Sequence, residues 1–455
     1  MKKRTFFSLF FPSLLILAAL LYINYLAPAI TGYAAKNLAS GIFVAGRTQE
    51  SIEREDINFF PFNLSSNTVD YDNKVVISSF LLWSAKAIFN EGLGCTLVKD
   101  FSEESVKKLD YPNSLLHDTN LETIPWPSGD LISDTVPEGI NMQKIKEIVN
   151  QVFEDSLVYK GTFAVIITYK DQIIAERYRD DLNPATRFLS WSMAKSFTNA
   201  LVAILVKRGI LDINIPINLD EWRDDDRKNI TLNNLLQMNS GLKFNENYNK
   251  FFLPDAPSML MKEGDMGDFA ASKKLYVKPN SQWSYSSGST NIIQDYIRTQ
   301  IGNDEEYYFI PQKALFKKIG MHSIVWEPDA SGTFVGSTYL YASARDYARF
   351  GLLYLHNGYW DGEQLFPENW VTYTTTPVTD SEGSYGSHFW LNQSNEFSGC
   401  PTDLFYCKGY DGQFIFIIPS KQLVVVRTGC SPNNSFDSRS FLKKIVDSIE
   451  SNQIY

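Results

Sequence analysis

A serine and a lysine stand three residues apart at the start of an apolar segment, in Ser192-Met193-Ala194-Lys195. On a helix this spacing places both side chains on one face, with the lysine amine within reach of the serine hydroxyl. A neutral amine in that position accepts the hydroxyl proton and makes the serine a nucleophile for acyl transfer. The pair therefore predicts hydrolysis of an ester or amide through an acyl-Ser192 intermediate.

The spacing alone is weak support, because the chain contains three more such pairs: Ser105/Lys108, Ser240/Lys243 and Ser440/Lys443. The first and third lie among charged residues, which is typical of solvated helix faces. The second contains Gly241, which indicates a turn.

Apolar residues on most faces of the following segment predict a buried helix: Met193, Ala194, Phe197, Ala200, Leu201, Ile204 and Leu205. A lysine in its first turn is partly desolvated, which lowers its pKa toward that of a useful base. The free N–H groups of the helix N-terminus favour an oxyanion beside Ser192. The alternative is an N-cap serine under a lysine that extends to solvent.

Two later segments favour the catalytic interpretation. In Trp283-Ser284-Tyr285-Ser286-Ser287-Gly288, Tyr285 lies on a loop before a helix and is expected to join the proton relay. In Lys408-Gly409-Tyr410-Asp411-Gly412-Gln413, the glycines let a substrate approach the backbone, and Gln413 is expected to offer a second oxyanion N–H. The alternatives are a core tyrosine, one of 24, and an ordinary glycine-rich entry to a strand.

In order and spacing, Ser192-x-x-Lys195, Tyr285-Ser286-Ser287 and Tyr410-Asp411-Gly412 resemble the three motifs of class C β-lactamases and related penicillin-recognising enzymes. The resemblance extends from about residue 170 to 442 and is greatest to the branch with aminohexanoate-dimer hydrolases and esterases. It implies that Lys195, hydrogen-bonded to Tyr285, accepts the Ser192 proton, and that the N–H groups of Ser192 and Gln413 bind the oxyanion.

The chain departs from true β-lactamases at two positions. Ser287 stands where they have asparagine, and Tyr410 stands where they have lysine. Both positions bind the β-lactam in that family, so we expect poor penicillin hydrolysis here. With Asp411 and Gly412, these residues are expected to bind a small-molecule or short-peptide ester or amide, and the resemblance implies no cofactor.

Periodicity predicts the elements around these motifs. Apolar residues from Met142 to Phe153 and from Phe441 to Ile449 recur at helical spacing. Two β-rich pairs predict hairpins: Thr162–Tyr169 with Gln172–Tyr178, and Gln413–Ile418 with Leu423–Arg427. The predicted fold class is α+β, an antiparallel sheet flanked by terminal helices and joined by a mainly helical lobe. Loops near 244–278 are expected to set specificity.

The predicted organisation has three parts: an N-terminal membrane anchor or signal segment (1–30), an extension packed on the hydrolase (31–135), and the hydrolase domain (136–455). The stretch from Pro125 to Pro137 contains three prolines and is interpreted as the linker.

An apolar run from Phe6 to Pro28 follows Lys2, Lys3 and Arg4 and is long enough to cross a bilayer. Because positive residues stay inside, the hydrolase is expected outside the cytoplasm, on the periplasmic side of the inner membrane in a Gram-negative cell. The alternatives are secretion after cleavage near Ala27 or Ala29 and, less favoured, a buried core helix.

Charge and cysteine content limit the other possibilities. A net charge of -10, without basic clusters beyond residue 4, argues against a nucleic-acid partner. Scattered histidines (His117, His322, His356 and His388) and cysteines without CxxC spacing argue against a zinc site. Cys400 and Cys407 are the natural disulfide pair, with two free thiols equally compatible.

Two other functions remain open. One is a D-aminopeptidase or carboxypeptidase acting on cell-wall peptides with the same nucleophile. The other is a penicillin-binding sensor or scaffold at the membrane that does not hydrolyse. The oligomeric state has no signal in the sequence.

Overall fold

The structure, a computed structural model, describes residues 2–112, 121–154, 161–247, 253–432 and 435–449, with side chains from residue 13 on. His117 and residues 248–252 of the predicted specificity region lie outside these ranges. The described helices are α1 Lys2–Phe43, α2 Gln49–Glu55, α3 Glu103–Lys107, α4 Met142–Glu154, α5 Ala194–Lys207, α6 Leu232–Leu236, α7 Asp255–Lys262, α8 Met266–Ala271, α9 Ser287–Ile301, α10 Asp304–Pro311, α11 Ala344–Leu355, α12 Trp370–Thr375 and α13 Ser438–Val446.

The strands of the same ranges form four sheets. They are β1 Ser66–Asp70, β2 Val75–Phe80, β3 Trp83–Asn90, β4 Gly94–Leu97, β5 Gly161–Tyr169, β6 Gln172–Tyr178, β7 Phe188–Leu189, β8 Val325–Trp326, β9 Leu340–Ala342, β10 Tyr359–Trp360, β11 Glu363–Gln364, β12 Trp390–Leu391, β13 Phe405–Gly409, β14 Gln413–Ile418 and β15 Leu423–Cys430.

The central sheet is antiparallel, with the strand order β12-β13-β14-β15-β5-β6. Both predicted hairpins are confirmed. Lys170 and Asp171 connect β5 to β6, and both have positive φ, at 48° and 64°, which matches the right-handed twist of the flanking strands. The sequence-distant hairpins meet where β15 pairs with β5, with Val426 opposite Ile166.

Helices cover both faces of this sheet. Ile145 and Val149 of α4 pack with Leu442 and Ile445 of α13 in one buried cluster on the first face. The helices α5 and α11 belong to the larger cluster on the other face, which continues into the helical lobe around α6 to α10. The predicted α+β fold, with a sheet flanked by its terminal helices and a helical lobe, is therefore confirmed.

Helix α1 is longer than the predicted anchor and has two different halves. Leucine and isoleucine side chains between residues 14 and 21 are more than half exposed, whereas Ala27, Ala34 and Leu38 are fully buried. The second half packs against the sheet β1-β2-β3-β4. Residues 13–43 are long and apolar enough to cross a membrane by length and composition.

A buried ion pair joins α1 to the rest of the protein. The Lys36 ammonium bonds to the Glu327 carboxylate, and both side chains are at most 2% exposed. Glu327 also accepts hydrogen bonds from the Ser40 hydroxyl at 2.8 Å and from the Cys95 N–H at 2.7 Å. One carboxylate therefore joins α1, β4 and the residue after β8.

The proline-rich stretch has no helix in the structure, as predicted, and it is hydrogen-bonded to α11. Arg349 of α11, only 1% exposed, donates to the carbonyl oxygens of Pro127 at 2.7 Å and Gly129 at 2.6 Å. It also pairs with the carboxylates of Asp130 and Asp346 at 2.7 Å. The predicted division into three parts stays a prediction.

All four cysteines are buried free thiols, so the predicted pair Cys400–Cys407 is not formed. Cys407 lies within β13 and belongs to the cluster on the α5 and α11 face, whereas Cys400 belongs to the cluster on the opposite face. The side chain of Cys407 points from β13 to one face of the sheet, while Cys400, in the loop before β13, packs on the other face.

Breaking the Lys36–Glu327 pair should destabilise the protein strongly. Glu327→Gln leaves a buried ammonium without its counter-ion, which costs about 3–5 kcal/mol. Glu91→Gln is the matched control, because Glu91 pairs with Lys74 at the surface and such pairs contribute about 0–1 kcal/mol. Thermal melting of detergent-solubilised full-length protein measures both. Equal melting temperatures for the two variants would contradict a structural role of the pair.

Candidate functional site

Ser192 lies in a tight turn between a short strand and a buried helix. The 3-10 turn Trp191–Met193 follows β7, where the Ser190 N–H donates to the Leu340 carbonyl of β9 at 2.8 Å, and leads directly into α5. Trp191 has a φ of 48°, a strained conformation for a residue with a side chain. The surrounding structure therefore holds the backbone in this conformation next to Ser192.

The Lys195 amine is buried and has three acceptors. Nζ donates to Ser192 Oγ at 3.0 Å, to Ser287 Oγ at 3.1 Å and to the Ser337 carbonyl oxygen at 3.0 Å. The side chain is 1% exposed, so it does not extend to solvent. The position before α5 has no side-chain capping bond either. Both features disagree with the N-cap alternative.

Burial sets the protonation of this lysine. It lowers the pKa of Lys195 to about 8, while the nearby Glu246 carboxylate acts in the opposite direction. An amine with this pKa is partly neutral near pH 8 and can accept a proton there. Its hydrogen bond to Ser192 Oγ places that hydroxyl within reach of the neutral amine.

Tyr285 lies on the other side of the lysine. The Lys195 Nζ is 4.9 Å from the centre of the Tyr285 ring, and a hydrogen bond links the tyrosine side chain to Ser192. The expected direct bond from the tyrosine hydroxyl to Lys195 is replaced by this contact with the ring face. Burial raises the pKa of Tyr285 above its ordinary value, so the phenol keeps its proton near neutral pH.

Ser287, predicted to bind substrate, instead bridges two charged groups. As the first residue of α9, it accepts from Lys195 and donates its hydroxyl proton to Glu246 Oε1 at 2.5 Å. Its N–H donates to Glu246 Oε2 at 3.1 Å. The second motif therefore contributes a hydrogen-bonding link between the lysine and a carboxylate.

The segment before the third motif contacts the turn that contains Ser192 through Gly409. A Cβ on Gly409 would collide with the Ser190 carbonyl oxygen, and the Trp191 and Tyr410 rings meet edge to face with centroids 5.5 Å apart. Gln413, the expected oxyanion donor, lies opposite Gly409 across the β13–β14 ladder. Its side-chain amide donates to the Tyr410 carbonyl at 3.1 Å and to the Gly429 carbonyl at 2.5 Å. The Gln413 side chain thus holds the turn.

The turn with Asp411 and Gly412 is held from behind by a buried arginine. Arg427 Nη1 donates to the carbonyl oxygens of Asp411 at 3.1 Å and Gly412 at 2.9 Å. Burial lowers the pKa of Arg427 to about 9. The side chain of Tyr410 is 53% exposed beside the nucleophile turn, where a substrate can contact it.

The other Ser-x-x-Lys pairs do not form such a site. Lys108 pairs with Glu104 at 2.7 Å, and Lys443 pairs with Asp447 at 2.6 Å. Ser240 accepts a weak bond from the Leu242 N–H at 3.4 Å, and Gly241 after it has a φ of 78°, as expected for a turn.

Sequence reasoning did not find Glu246 or the Ser337 carbonyl. Glu246 has no motif spacing to Ser192 and lies in the region assigned to specificity loops. Ser337 contributes only its backbone, and every residue has a carbonyl group. A sequence pattern carries no signal for either contact.

A comparison with known families decides the assignment. The beta-lactamase family model matches residues 153–437, well over half of the chain, and this range includes Ser192, Tyr285 and Gly409. The chain belongs to the beta-lactamase family. No curated protein matches the chain significantly.

Solved structures of beta-lactamase-family relatives share the fold. One, provisionally named a 6-aminohexanoate-dimer hydrolase from Bacillus anthracis, is 24% identical, with a TM-score of 0.55 over 67% of this chain and 81% of that one. A family VIII carboxylesterase is 15% identical, with a TM-score of 0.54 over 70% and 98%. A penicillin-binding protein from Bacillus halodurans is 17% identical, with a TM-score of 0.51 over 66% and 99%.

The reactivity of Ser192 should rise with pH through the pKa of Lys195. Below about pH 8 the amine is an ammonium and cannot accept the proton; above it the neutral form predominates. Lys195→Arg stays charged throughout this range and should lose about 100-fold or more in rate, the scale of general-base catalysis. The rate of reaction with a fluorophosphonate, measured from pH 6 to 10, tests this. A near wild-type rate for the arginine variant would show that Lys195 is not the base.

Proposed function

We propose that this protein is a serine hydrolase that cleaves an ester or amide bond through an acyl-Ser192 intermediate. The single observation that carries the proposal is the hydrogen bond between the buried Lys195 amine and Ser192 Oγ, at 3.0 Å. A desolvated lysine in contact with a serine hydroxyl is the arrangement that nucleophilic acyl transfer requires. The carboxylesterase and hydrolase names of the related structures agree with this reaction class.

In acylation, neutral Lys195 takes the Ser192 proton while Oγ attacks the substrate carbonyl. Lys195 then gives that proton to the leaving group, while Tyr285, a neutral phenol hydrogen-bonded to Ser192, lies beside the reacting oxygen. Water then attacks the acyl-enzyme, and the same groups move the proton in reverse. The bond to the leaving group breaks in the first half and the bond to Ser192 in the second.

The oxyanion of each tetrahedral intermediate needs two N–H donors. We assign one to Ser192, at the turn before α5, and the second to Tyr410, which directly follows Gly409. The contact between Gly409 and Ser190 supports Tyr410 over the initially expected Gln413, which is three residues further along and across the ladder.

The substrate-binding region combines aromatic surfaces with few polar groups. Tyr285 packs against Trp390 and Tyr385, with ring centroids 5.4 and 5.9 Å apart. On the other side, Trp191 meets the half-exposed Tyr410. These rings suit a small substrate with an apolar acyl or leaving group.

Labelling tests the nucleophile. A fluorophosphonate should modify Ser192, as located by peptide mass mapping, and Ser192→Ala should abolish turnover of a short-chain chromogenic ester while the melting temperature stays close to wild type. Ser240→Ala, at another Ser-x-x-Lys pair, is the matched control and should keep its activity. Label on Ser105, Ser240 or Ser440 would contradict the proposal. Labelled Ser192 without ester turnover would favour a penicillin-binding sensor. Cleavage of D-amino-acid peptides instead of esters would favour a cell-wall peptidase.

We also propose that α1 anchors the hydrolase in a membrane, with the catalytic part outside the cytoplasm. The exposed apolar half of the helix, with Lys2, Lys3 and Arg4 before it, supports this orientation.

Full-length protein should therefore partition into detergent or vesicles, whereas protein without residues 1–25 should be soluble and active. This deletion keeps Ala27 and the following buried half of α1, including Lys36. Phase partitioning with N-terminal sequencing measures the outcome. Soluble full-length protein that begins after Ala27 or Ala29 would indicate a cleaved signal instead.

A further inference from the structure

A carboxylate that belongs to none of the three motifs lies beside the catalytic lysine. Glu246, in the loop between α6 and α7, accepts two hydrogen bonds from Ser287: from the hydroxyl at 2.5 Å and from the backbone N–H at 3.1 Å. Two donors on the two oxygens of one carboxylate fix its position and match its ionised, accepting form.

The contacts form one continuous chain from the nucleophile to this carboxylate. Lys195 Nζ contacts Ser192 Oγ at 3.0 Å and donates to Ser287 Oγ at 3.1 Å, and Ser287 then donates to Glu246. A serine hydroxyl has one proton. Because Ser287 donates that proton in its hydrogen bond to Glu246, a lone pair of the Ser287 oxygen is free to accept from the lysine.

Several charged or titratable groups surround Glu246. The Lys195 ammonium favours the ionised form, as do both hydrogen bonds from Ser287, whereas Asp255 of α7 disfavours it. Tyr285 and Tyr385 are also within electrostatic range of the carboxylate. Burial is the largest influence and raises the pKa of Glu246. A neighbouring cation is what makes an ionised carboxylate tolerable at such a buried position.

We propose that Glu246 is a positioning residue of the hydrolase: it orients Ser287 toward Lys195 and stabilises the ammonium that forms when Lys195 accepts the Ser192 proton. This inference rests on the proposed function, because it concerns the same proton transfer. Glu246 does not touch the reacting atoms; it acts through Ser287 and through its charge.

This role predicts two changes when the carboxylate is removed: in the pKa of Lys195 and in the rate at high pH. Without the carboxylate, burial alone acts on Lys195, so its pKa falls and the neutral form appears at lower pH. The same loss makes Lys195 a weaker base, so the rate at high pH also falls. A residue that only supported the fold would lower the rate without moving the pH dependence.

The test compares Glu246→Gln, which keeps the shape and removes the charge, with wild type. The rate of fluorophosphonate labelling of Ser192 is measured against pH on full-length protein. For the glutamine variant we expect the midpoint to fall by about one pH unit, the effect of losing one nearby opposite charge, and the plateau by about 10-fold. Glu246→Asp, which keeps the charge, should return the midpoint toward wild type. Glu91→Gln, which removes a surface carboxylate paired with Lys74, is the control and should leave the midpoint within a few tenths of a unit.

A glutamine variant with a wild-type midpoint would overturn the inference, whatever its rate. NMR titration of the Lys195 side chain, assigned by comparison with Lys195→Arg, separates this failure from failure of the proposed function. If wild-type Ser192 is not labelled, the proposed reaction fails, and the NMR midpoint still decides whether Glu246 controls the lysine. If the glutamine variant unfolds, the aspartate variant decides, because it keeps the charge but moves the carboxylate away from Ser287. A wild-type midpoint with a lowered plateau supports the proposal. An unchanged plateau contradicts it.

Discussion

The desolvated amine of Lys195 is the constraint on which the rest of the site depends. An ammonium without water is costly unless acceptors replace its hydration. Here the three acceptors come from the turn before α5, the start of α9 and the segment before β9. The sheet, the helical lobe and the loop between them must all be in place before the lysine has its partners. The proposed base therefore obtains all its hydrogen-bond partners only in the correctly folded protein.

Local patterns explain what the sequence predicted correctly. The Ser192/Lys195 contact lies within about one helical turn. The β5–β6 and β14–β15 hairpins each join two strands that follow one another in the chain. Each feature is therefore specified by residues that are neighbours in the sequence. The same is true of α4 and α13, whose apolar periodicity led to the flanking helices. The family resemblance added the order of the motifs, which no local pattern contains.

Long-range geometry explains what the sequence did not predict. Glu246 and Ser287 are 41 residues apart, and Lys195 and Ser337 are 142 residues apart. No periodicity connects such positions, and a backbone carbonyl leaves no trace in composition. Of the two alternatives for Cys400 and Cys407, the free thiols are found, because residues close in sequence pack on opposite faces of the sheet. The contact between Gly409 and Ser190 likewise joins positions more than 200 residues apart, and no local pattern indicates it.

Helix α1 is held rigidly against the rest of the protein, which has a consequence for the proposed membrane anchor. The Tyr25 hydroxyl donates to the Leu253 carbonyl at 3.2 Å, close to where the exposed half of the helix ends, and Lys36 is buried against Glu327 further along. The eleven residue steps from Tyr25 to Lys36 span about 16 Å at 1.5 Å per residue. Under the proposed membrane anchoring, the site around Ser192 would keep a set height and tilt above the lipid surface, because a rigid helix would replace a flexible linker. The proposed enzyme would then reach only substrates that enter one thin layer of the space beside the membrane.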